Sequence, residues 1–510
     1  MKKFVFITAC ISFLFIGCKS SQSISSKDDG VISFKIIQLN DVYEIAPLSG
    51  GQYGGMARVA HIRDSVQQLD PNTYMVLAGD FLNPSLLGTI KYNGERIYGK
   101  QMVEVMNAMN FDLVTFGNHE FDVTEEGLQK RLNESNFPWI TANVRHIIAN
   151  DTVPFEYTRN SEIIPVPDTF TLYPQDKDGT KIEVGFVSVT IPSNPQPFVY
   201  YGDIFKESKR AYSDIKSKAD IVLGLTHVSI DQDKEISNQN PGIAFIMGGH
   251  EHNNMLVESR NAKIAKADAN AKTVYIHTFS YNKKTKKLDI DSELLTVDNK
   301  IASKPSVEVI VEKWTNILET EIKQVISNPN EIIYNANPPL DGTDSSNRSK
   351  QTNLGEIITN AMALSFTSNV DAGLVNGGSI RIDDMMEGNI TSMDVFRVLP
   401  FGGGVLKVDI TGSLLKEVLD YSVSKSGTGA YLQRYNISKN PEEQWIVGSS
   451  LLDENNTYTV AFSDFLLKGY DIPFLTPDNK GVLNVYSPTK EEAAYDIRKA
   501  VILYIKSLKK

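Results

Sequence analysis

Apolar runs of strand length recur through the first half of the chain, and most of them end in polar residues. The first run, VISFKIIQLN, begins at Val31 and leads directly into Asp41. Short apolar runs that are rich in β-branched residues are typical of buried strands. Five further runs share this pattern: TYMVLAGD (73–80), FDLVTFGNHE (111–120), KIEVGFVSVT (181–190), ADIVLGLTH (219–227) and GIAFIMGGHEH (242–252). The pattern therefore predicts six buried strands.

Helical patterns lie between these strands. Residues 57–69 and 99–109 carry apolar side chains three and four positions apart, which is the spacing of one face of a helix. Strands that alternate with helices predict a layered α/β domain. Ligands of such sheets gather where the strands end, so the polar residues that follow the strands are candidate site residues.

A second domain is predicted in the last third of the chain. The segment 274–295 has the pattern of a hairpin that closes the first domain near residue 297. Residues 307–326 keep a helical apolar period that suits a connecting helix. From about residue 328 the chain has its own predicted helices (353–366 and 412–424), a late strand (457–466) and the glycine-rich loops NGGSIR and PFGGG.

Composition and charge narrow the class of protein. The chain has 510 residues, of which 41% are hydrophobic and 22% charged, as expected for a globular protein of two or three domains. There are 51 basic and 62 acidic residues, a formal charge of -11. Such a chain offers no electrostatic footprint for nucleic acid. An anionic substrate therefore requires a locally positive site.

The N-terminus has the form of an export signal. Lys2 and Lys3 precede an apolar run over residues 4–16, and Gly17 stands before Cys18. The run is short for a bilayer span and typical of a secretory signal. A small residue before a cysteine resembles a bacterial lipoprotein processing site. That site implies a signal peptide over 1–17, lipidation of Cys18 and a flexible Ser-rich tether over 18–30. An uncleaved anchor or a plain signal peptide is the alternative.

Potential metal ligands follow the predicted strands. The set has carboxylate, imidazole and amide groups: Asp41, Asp80, Asn118, His119, His227, His250 and His252. This mixture suits divalent ions such as Zn, Mn or Fe, and it is large enough for two of them. Two ions can share a carboxylate and lower the pKa of a bridging water. Taken singly, each residue also has an ordinary interpretation, such as a helix N-cap for an aspartate or a buried core position for a histidine.

Five motifs, in this order, resemble those of the calcineurin-like metallophosphoesterases: LNDVYE, AGDF, GNHEFD, LTHVSID and GGHEH. The chain is similar to the 5'-nucleotidase family in particular, because SNRSKQTNLGEIITNAM, NGGSIR and VLPFGGG continue the resemblance into the second domain. The resemblance implies an α/β fold with a four-layered α/β/β/α metallophosphoesterase domain over 31–300. It further implies a connecting helix over 301–327 and a C-terminal α+β nucleotide-binding domain over 328–510.

The resemblance assigns roles to residues of the first domain. Asp41 and His252 match ligands of a first metal ion, and Asp80 matches the carboxylate that bridges the two ions. Three residues match ligands of the second ion: Asn118, His227 and His250. His119 and Asp122 match the catalytic dyad, in which an imidazole held by a carboxylate stabilises developing charge or protonates the leaving oxygen. The implied cofactors are two divalent ions, from among Zn, Mn, Fe and Co.

One metal-ligand position departs from the usual motif. The family usually has histidine where this chain has Tyr43, and a branch of the family shares the NDVY motif. The first metal ion therefore either loses an imidazole ligand or gains a phenolate ligand at Tyr43.

The resemblance also implies substrate-binding residues in the second domain. Arg348, Asn376 and Arg381 match positions that hold the substrate phosphate, and Gly378 lies in the same NGGSIR loop. Guanidinium groups match phosphate in geometry and supply the positive charge that the acidic chain lacks. Phe401 matches an aromatic residue that stacks on the nucleobase. The loop LLKGYDIPF departs from the family pattern, and Tyr470 or Phe474 is expected to provide the other face of the base sandwich.

These observations favour a metal-dependent hydrolase that releases phosphate from nucleotides at the cell envelope, lipid-anchored at the periplasmic face or the outer-membrane surface of a bacterium. Within the same chemistry, a 2',3'-cyclic phosphodiesterase or a nucleotide-sugar hydrolase is the alternative. A catalytically silent ligand-binding lipoprotein is a further alternative, because a fold alone does not imply a function. Retention of His119 and Asp122 favours the enzyme.

Overall fold

A computed structural model gives the structure of residues 29–193 and 196–508. The predicted signal peptide and Cys18 lie outside these residues, as does most of the predicted tether. Within the described ranges, no helix is both long enough and apolar enough to cross a membrane.

The first domain contains nineteen strands within the described residues. They are β1 Val31–Leu39, β2 Thr73–Ala78, β3 Lys91–Tyr92, β4 Glu95–Arg96, β5 Leu113–Thr115, β6 Trp139–Ile140, β7 Val144–Ile148, β8 Asp151–Val153, β9 Glu156–Arg159, β10 Glu162–Pro165, β11 Thr169–Leu172, β12 Val184–Val187, β13 Val199–Tyr201, β14 Ile221–Thr226, β15 Ile243–Gly248, β16 Met255–Glu258, β17 Lys263–Lys266, β18 Thr273–Asn282 and β19 Lys287–Thr296. Its helices are α1 Met56–Leu69, α2 Leu86–Thr89, α3 Lys100–Met109, α4 Glu125–Glu134, α5 Ile204–Ile215 and α6 Ile230–Gln239. All six predicted strands are present.

Two six-stranded sheets form the middle of this domain. Their strand orders are β19-β18-β1-β2-β5-β6 and β11-β12-β14-β15-β17-β16. The inner faces of the sheets share a buried core that includes Ile36 and Val76 from the first sheet and Phe186 and Leu223 from the second. Helices α1 and α3 pack on the outer face of the first sheet, and α5 and α6 on the outer face of the second. The predicted four-layered α/β/β/α arrangement is confirmed.

Helix α7 (Pro305–Ile322) connects the domains. Pro305 occupies its first turn, where a missing N–H costs no hydrogen bond. Trp314 is buried, and its Nε1 donates to Glu104 of α3 at 2.9 Å. The helix ends four residues before the predicted end at 326, and Val325 and Ile326 pack against the core from the following loop. The connecting helix is therefore packed against the first domain.

The second domain has ten strands and five helices within the described residues. They are β20 Ile332–Asp341, β21 Ala372–Asn376, β22 Met385–Thr391, β23 Val405–Thr411, β24 Leu432–Tyr435, β25 Ile437–Lys439, β26 Trp445–Val447, β27 Ser450–Leu451, β28 Thr457–Ser463 and β29 Val482–Tyr486, with α8 Asp344–Asn347, α9 Asn353–Leu364, α10 Ser392–Val398, α11 Gly412–Ser424 and α12 Ile497–Leu508. The main sheet has the mixed order β24-β21-β28-β23-β29. This is the α+β arrangement that the resemblance implies.

The two domains share a continuous apolar core. The cluster that contains α1 and α3 extends through Trp314 to Ile358 of α9 and Phe396 of α10. Helix α11 packs on the opposite side of the second domain's sheet, through Leu415 and Leu419. The shared core holds the polar ends of the first domain's strands against the glycine-rich loops of the second.

Candidate functional site

Three candidate metal ligands lie in strained backbone at the ends of strands. Asp41, Asp80 and His250 follow β1, β2 and β15, and their φ angles are 53°, 57° and 82°. Residues other than glycine rarely adopt this left-handed conformation, which costs on the order of 1–3 kcal/mol at each position and clusters at functional sites. All three residues therefore share a backbone conformation that is typical of functional sites.

A buried trio forms the centre of this site. The ligand atoms of Asp41, Asp80 and His227 lie within 4.8 Å of one another. His227 Nδ1 donates to the carbonyl of Ala78 at 2.7 Å, which leaves Nε2 to face the carboxylates, 3.1 Å from Asp80 Oδ2. A backbone carbonyl that fixes the tautomer in this way is typical of metal-binding histidine. Gly79 lets the His227 ring lie close to the backbone of this loop. A Cβ at position 79 would lie only 2.7 Å from His227 Nδ1.

His252 and Tyr43 extend the trio on one side. His252 Nε2 lies 3.3 Å from Asp41 Oδ1 and 3.1 Å from the Tyr43 hydroxyl. That hydroxyl also lies 3.5 Å from Asp41 and 3.4 Å from Asp80. Burial raises the pKa of Tyr43 well above 10.0, and the charges of Asp80 and Asp41 raise it further. Without a metal ion, Tyr43 is therefore a neutral phenol that faces two carboxylates.

Asn118 and His250 are the two remaining predicted ligands. The Oδ1 atom of Asn118 and the Nε2 atom of His227 are both buried and have no hydrogen-bond partner among the described residues. Buried polar atoms are normally paired. The His250 ring packs against His227 with 5.5 Å between ring centroids, and its backbone N–H donates to Asp41. A buried imidazole nitrogen without a hydrogen-bond partner, beside the buried carboxylates of Asp41 and Asp80, fits a divalent cation.

The predicted dyad lies beside this cluster. His119 Nδ1 contacts Asp122 Oδ2 at 2.6 Å. The same oxygen accepts from Asn83 at 3.0 Å and from Arg381 of the second domain at 3.3 Å. Burial lowers the pKa of His119, but the negative charges of Asp80 and Asp122 outweigh burial and raise it to about 9. The imidazole is thus held in place and able to carry a proton.

Two buried charged residues that the sequence analysis missed hold the ligand loops in place. The first is Glu120, inside GNHEFD, which accepts the backbone amides of Asp80, Phe81 and Leu82 and that of Gly117. It therefore fixes the loop that carries Asp80 against the loop that follows β5. Because one buried carboxylate satisfies several amides at once, neither loop can move without leaving donors unpaired.

Lys266 has the corresponding role for the histidine loops. Its side chain is fully buried, and Nζ donates to the carbonyls of Val228 at 2.6 Å and Gly249 at 2.7 Å. It also pairs with Asp233 at 3.0 Å and with Glu251. Lys266 thus joins the residues next to His227 and His250. The only feature of the sequence that could have indicated this role is a single lysine directly after the apolar residues Ile264 and Ala265.

A cavity of about 740 Å³ opens next to the dyad, between the two domains. Five of the seven predicted substrate-binding residues line it: Arg348, Asn376, Gly378, Arg381 and Phe401. Asp122 lines the same cavity, so substrate groups and the dyad share one space. Phe401 is 62% exposed, which leaves its ring available to a ligand. Asp471 also lines the cavity and accepts from Asn376 at 2.7 Å, a carboxylate that the sequence analysis missed.

A third aromatic residue lies near the two rings predicted to complete the base sandwich, Tyr470 and Phe474. Phe465, at the end of the SDF segment, lines the cavity with Phe401. Tyr470 packs on Phe465 at 5.6 Å between ring centroids and is itself 73% exposed, outside the lining of the cavity. Phe474 lies in a separate cavity, where its ring packs edge-on against Tyr421. Phe465 and Phe474 thus line different cavities, and the spacing of the aromatic residues in the sequence did not reveal which ring lines the cavity beside the dyad.

Comparison with known proteins agrees with this geometry. Residues 34–254 match the model of the calcineurin-like phosphoesterases, and residues 332–476 match the model of the 5'-nucleotidase C-terminal domain. The human 5'-nucleotidase is 26% identical over 477 residues, which are 82% of this chain and 78% of that protein. The trifunctional nucleotide phosphoesterase of Bacillus subtilis is 26% identical over 446 residues, which are 79% of this chain and 29% of that protein.

A solved structure shares the fold over nearly the whole chain. The 5'-nucleotidase precursor of Thermus thermophilus superposes with a TM-score of 0.64 at 20% sequence identity. The match covers 94% of this chain and 97% of that one. Both domains and their connection are therefore shared with a known two-domain architecture.

Proposed function

Because the chain belongs to the 5'-nucleotidase-like metallophosphoesterases, we propose that it releases phosphate from nucleotides by metal-dependent hydrolysis. One observation carries the proposal. Arg381, from the second domain, lies 3.3 Å from Asp122 of the dyad in the first domain. A guanidinium group suited to phosphate thus meets the group that holds the catalytic imidazole. The cavity therefore adjoins the dyad, and the dyad adjoins the cluster of candidate metal ligands.

Two divalent ions are the proposed cofactors, from among Zn, Mn, Fe and Co. Asp41, Tyr43 and His252 would hold the first ion. Asn118, His227 and His250 would hold the second, and Asp80 lies between the two sets. When bound, such ions supply an activated water and stabilise charge on phosphoryl oxygens.

The chain's own residues provide orientation and proton transfer. Asp122 accepts the Nδ1 proton of His119, so Nε2 is the atom that gives a proton to the leaving 5'-oxygen. Arg348 and Arg381 bind the phosphate from the cavity side. Phe401 and Phe465 offer two aromatic faces for the base. Binding energy from the base, remote from phosphorus, then positions the phosphate.

The test is phosphate release from a panel of substrates by metal-stripped protein. The panel contains nucleoside mono-, di- and triphosphates, 2',3'-cyclic nucleotides, nucleotide sugars and an aryl phosphate, each with Mn, Zn, Mg or Co. We expect the highest kcat/KM for a nucleotide monoester. Hydrolysis of the aryl phosphate without hydrolysis of any nucleotide would refute the proposal, and preference for a cyclic nucleotide or a nucleotide sugar would select that alternative. No hydrolysis with any metal would favour the silent lipoprotein.

Phe465→Ala is expected to raise KM for nucleotides about 10- to 100-fold and to leave kinetics on the aryl phosphate nearly unchanged. The reason is the loss of one stacking face, since stacking of a base on an aromatic ring contributes roughly 1–3 kcal/mol. Steady-state kinetics on both substrates measure the effect. Phe474→Ala is the matched control, because that ring lines a different cavity. An unchanged KM in Phe465→Ala, or an equal rise in Phe474→Ala, would contradict the assignment.

The proposed location is the cell envelope, through lipidation of Cys18. Cys18→Ser is expected to abolish incorporation of a labelled fatty acid and to release the protein from the membrane fraction of a bacterial host. Cys10→Ser is the control, because residue 10 lies within the predicted signal peptide. Membrane retention of Cys18→Ser would support an uncleaved anchor instead.

A further inference from the structure

A carboxylate of the second domain reaches the first metal site. Asp383 lies two residues after Arg381 and two residues before the start of β22. Its Oδ2 atom lies 3.6 Å from His252 Nε2, the atom that faces Asp41 and Tyr43. Its backbone carbonyl accepts from His252 Nδ1. One residue of the second domain therefore contacts both nitrogen atoms of a predicted metal ligand.

The backbone of Asp383 is held in an unfavourable conformation for this contact. Its φ angle is 43°, in the left-handed region. Three predicted ligands of the first domain show the same feature. Strain of this kind persists only where surrounding structure imposes it, and it clusters at ligand sites. In this conformation the carbonyl and the carboxylate of Asp383 both contact the same imidazole.

The distances from His252 place the Asp383 carboxylate at the edge of the first metal site. Ligand atoms bound to one ion at roughly 2.0–2.2 Å are separated by roughly 2.9–3.5 Å. The observed separations from His252 Nε2 are 3.1 Å to Tyr43, 3.3 Å to Asp41 and 3.6 Å to Asp383. Oxygen atoms of three side chains, two from the first domain and one from the second, thus lie within 3.6 Å of this one nitrogen atom.

We infer that Asp383 is a ligand of the first metal ion and compensates for the imidazole that is absent at Tyr43. This inference rests on the metal centre of the proposed function. A carboxylate is a stronger ligand for a divalent ion than a neutral phenol, because its charge is opposite to that of the ion. Tyr43 alone would leave the first ion with fewer strong ligands than the second.

Ligation by Asp383 couples the metal ion to the phosphate-binding arginines. The other carboxylate oxygen, Oδ1, accepts the backbone N–H of Asp344 at 2.7 Å, at the start of α8. Asp344 in turn pairs with Arg348 at 2.5 Å. The first ion would therefore hold the second domain, with both arginines, against the dyad. Metal binding and assembly of the substrate site would be one event.

Metal titration of the full chain tests the inference without any substrate. Metal-stripped protein is titrated with Mn²⁺, and bound ions are counted by elemental analysis and by electron paramagnetic resonance. The wild type is expected to bind two ions. Asp383→Asn, which is nearly isosteric, is expected to keep one tight ion and to bind the other at least about 10-fold more weakly. Asp383→Ser, with thermal melting of the metal-free protein, provides a second variant in case the asparagine variant misfolds.

Two further variants separate ligation from simple domain contact. Asp384→Asn is the matched control. Asp384 is the next residue in the chain, but its carboxylate pairs with Lys272 at 2.6 Å and not with His252. It is expected to bind both ions as the wild type does. Adding Tyr43→His to Asp383→Asn is expected to restore the weakened affinity, because an imidazole replaces the lost ligand.

Three results would overturn the inference. They are two ions bound with wild-type affinity by Asp383→Asn, an equal loss in Asp384→Asn, and no rescue by Tyr43→His. Each result is distinct from failure of the proposed function. If only the proposed function fails, the wild type binds two ions, one of them through Asp383, but releases no phosphate from nucleotides. A wild type that binds fewer than two ions would overturn both.

Discussion

Replacing His119 with alanine is expected to lower kcat for nucleotide hydrolysis by about 10²- to 10⁴-fold, the range of a general acid or base. Bound metal is expected to stay at the wild-type level, because the imidazole pairs with Asp122 and lies outside the ligand set. The backbone amide of His119 donates to Asp80 at 2.8 Å, and this contact survives the substitution. Steady-state kinetics combined with metal analysis measure both quantities.

His61→Ala is the control, because that side chain lies on the exposed face of α1. It is expected to match the wild type in kcat and in metal content. Wild-type turnover in His119→Ala would remove the residue from the mechanism. A parallel loss of metal and activity would instead make it a ligand, since an effect on the transition state alone leaves metal binding intact.

Arg381→Ala is expected to lower kcat/KM for nucleotides by at least about 30-fold. Its guanidinium group and Asp122 are both largely buried, with 15% and 13% of their side chains exposed. Truncating one partner of a buried, hydrogen-bonded charge pair typically costs about 2–5 kcal/mol, and about 1.4 kcal/mol corresponds to a factor of ten. The substitution removes a phosphate contact and also removes a positive charge beside the dyad.

Arg381→Lys distinguishes charge from geometry. The ammonium group keeps the positive charge but lacks the planar fork that binds a carboxylate and a phosphate together. We expect Arg381→Lys to recover only part of the loss, as measured by kcat/KM on the same nucleotide. Full activity of Arg381→Ala would mean that the second domain does not position the phosphate.

Local pattern was sufficient for the six buried strands, most of which carry candidate metal ligands at their ends. The apolar runs predicted β1, β2, β5, β12, β14 and β15, because burial on both faces of a strand leaves a continuous apolar signal. Asp41 and Asp80 meet because β1 and β2 are parallel neighbours that end at the same edge of the first sheet. His227 follows β14 of the second sheet, and the packing of the two sheets brings it to them. Asp41, Asp80 and His227 therefore lie together, as their positions after the strands predicted.

Contacts between distant segments were not visible in any local pattern. Lys266 joins residues 15 to 38 positions away, and its role depends on which carbonyls the folded loops present. Phe465 and Phe474 are both aromatic residues near the end of β28, and only the path of the loop decides which one lines the cavity. Asp383 has the appearance of an ordinary loop aspartate until His252, 131 positions earlier, packs against it.

The sequence by itself determined the six buried strands, the helices between them, the division into two parts and the chemical types at the strand ends. These follow from periodicity and short motifs, which are properties of neighbouring residues. Only the tertiary structure decided how the second domain completes the site. Arg381 meets Asp122 and Asp383 meets His252 across the domain boundary. Those contacts depend on how the shared core orients the domains, and that orientation results from packing of many residues far apart in the chain.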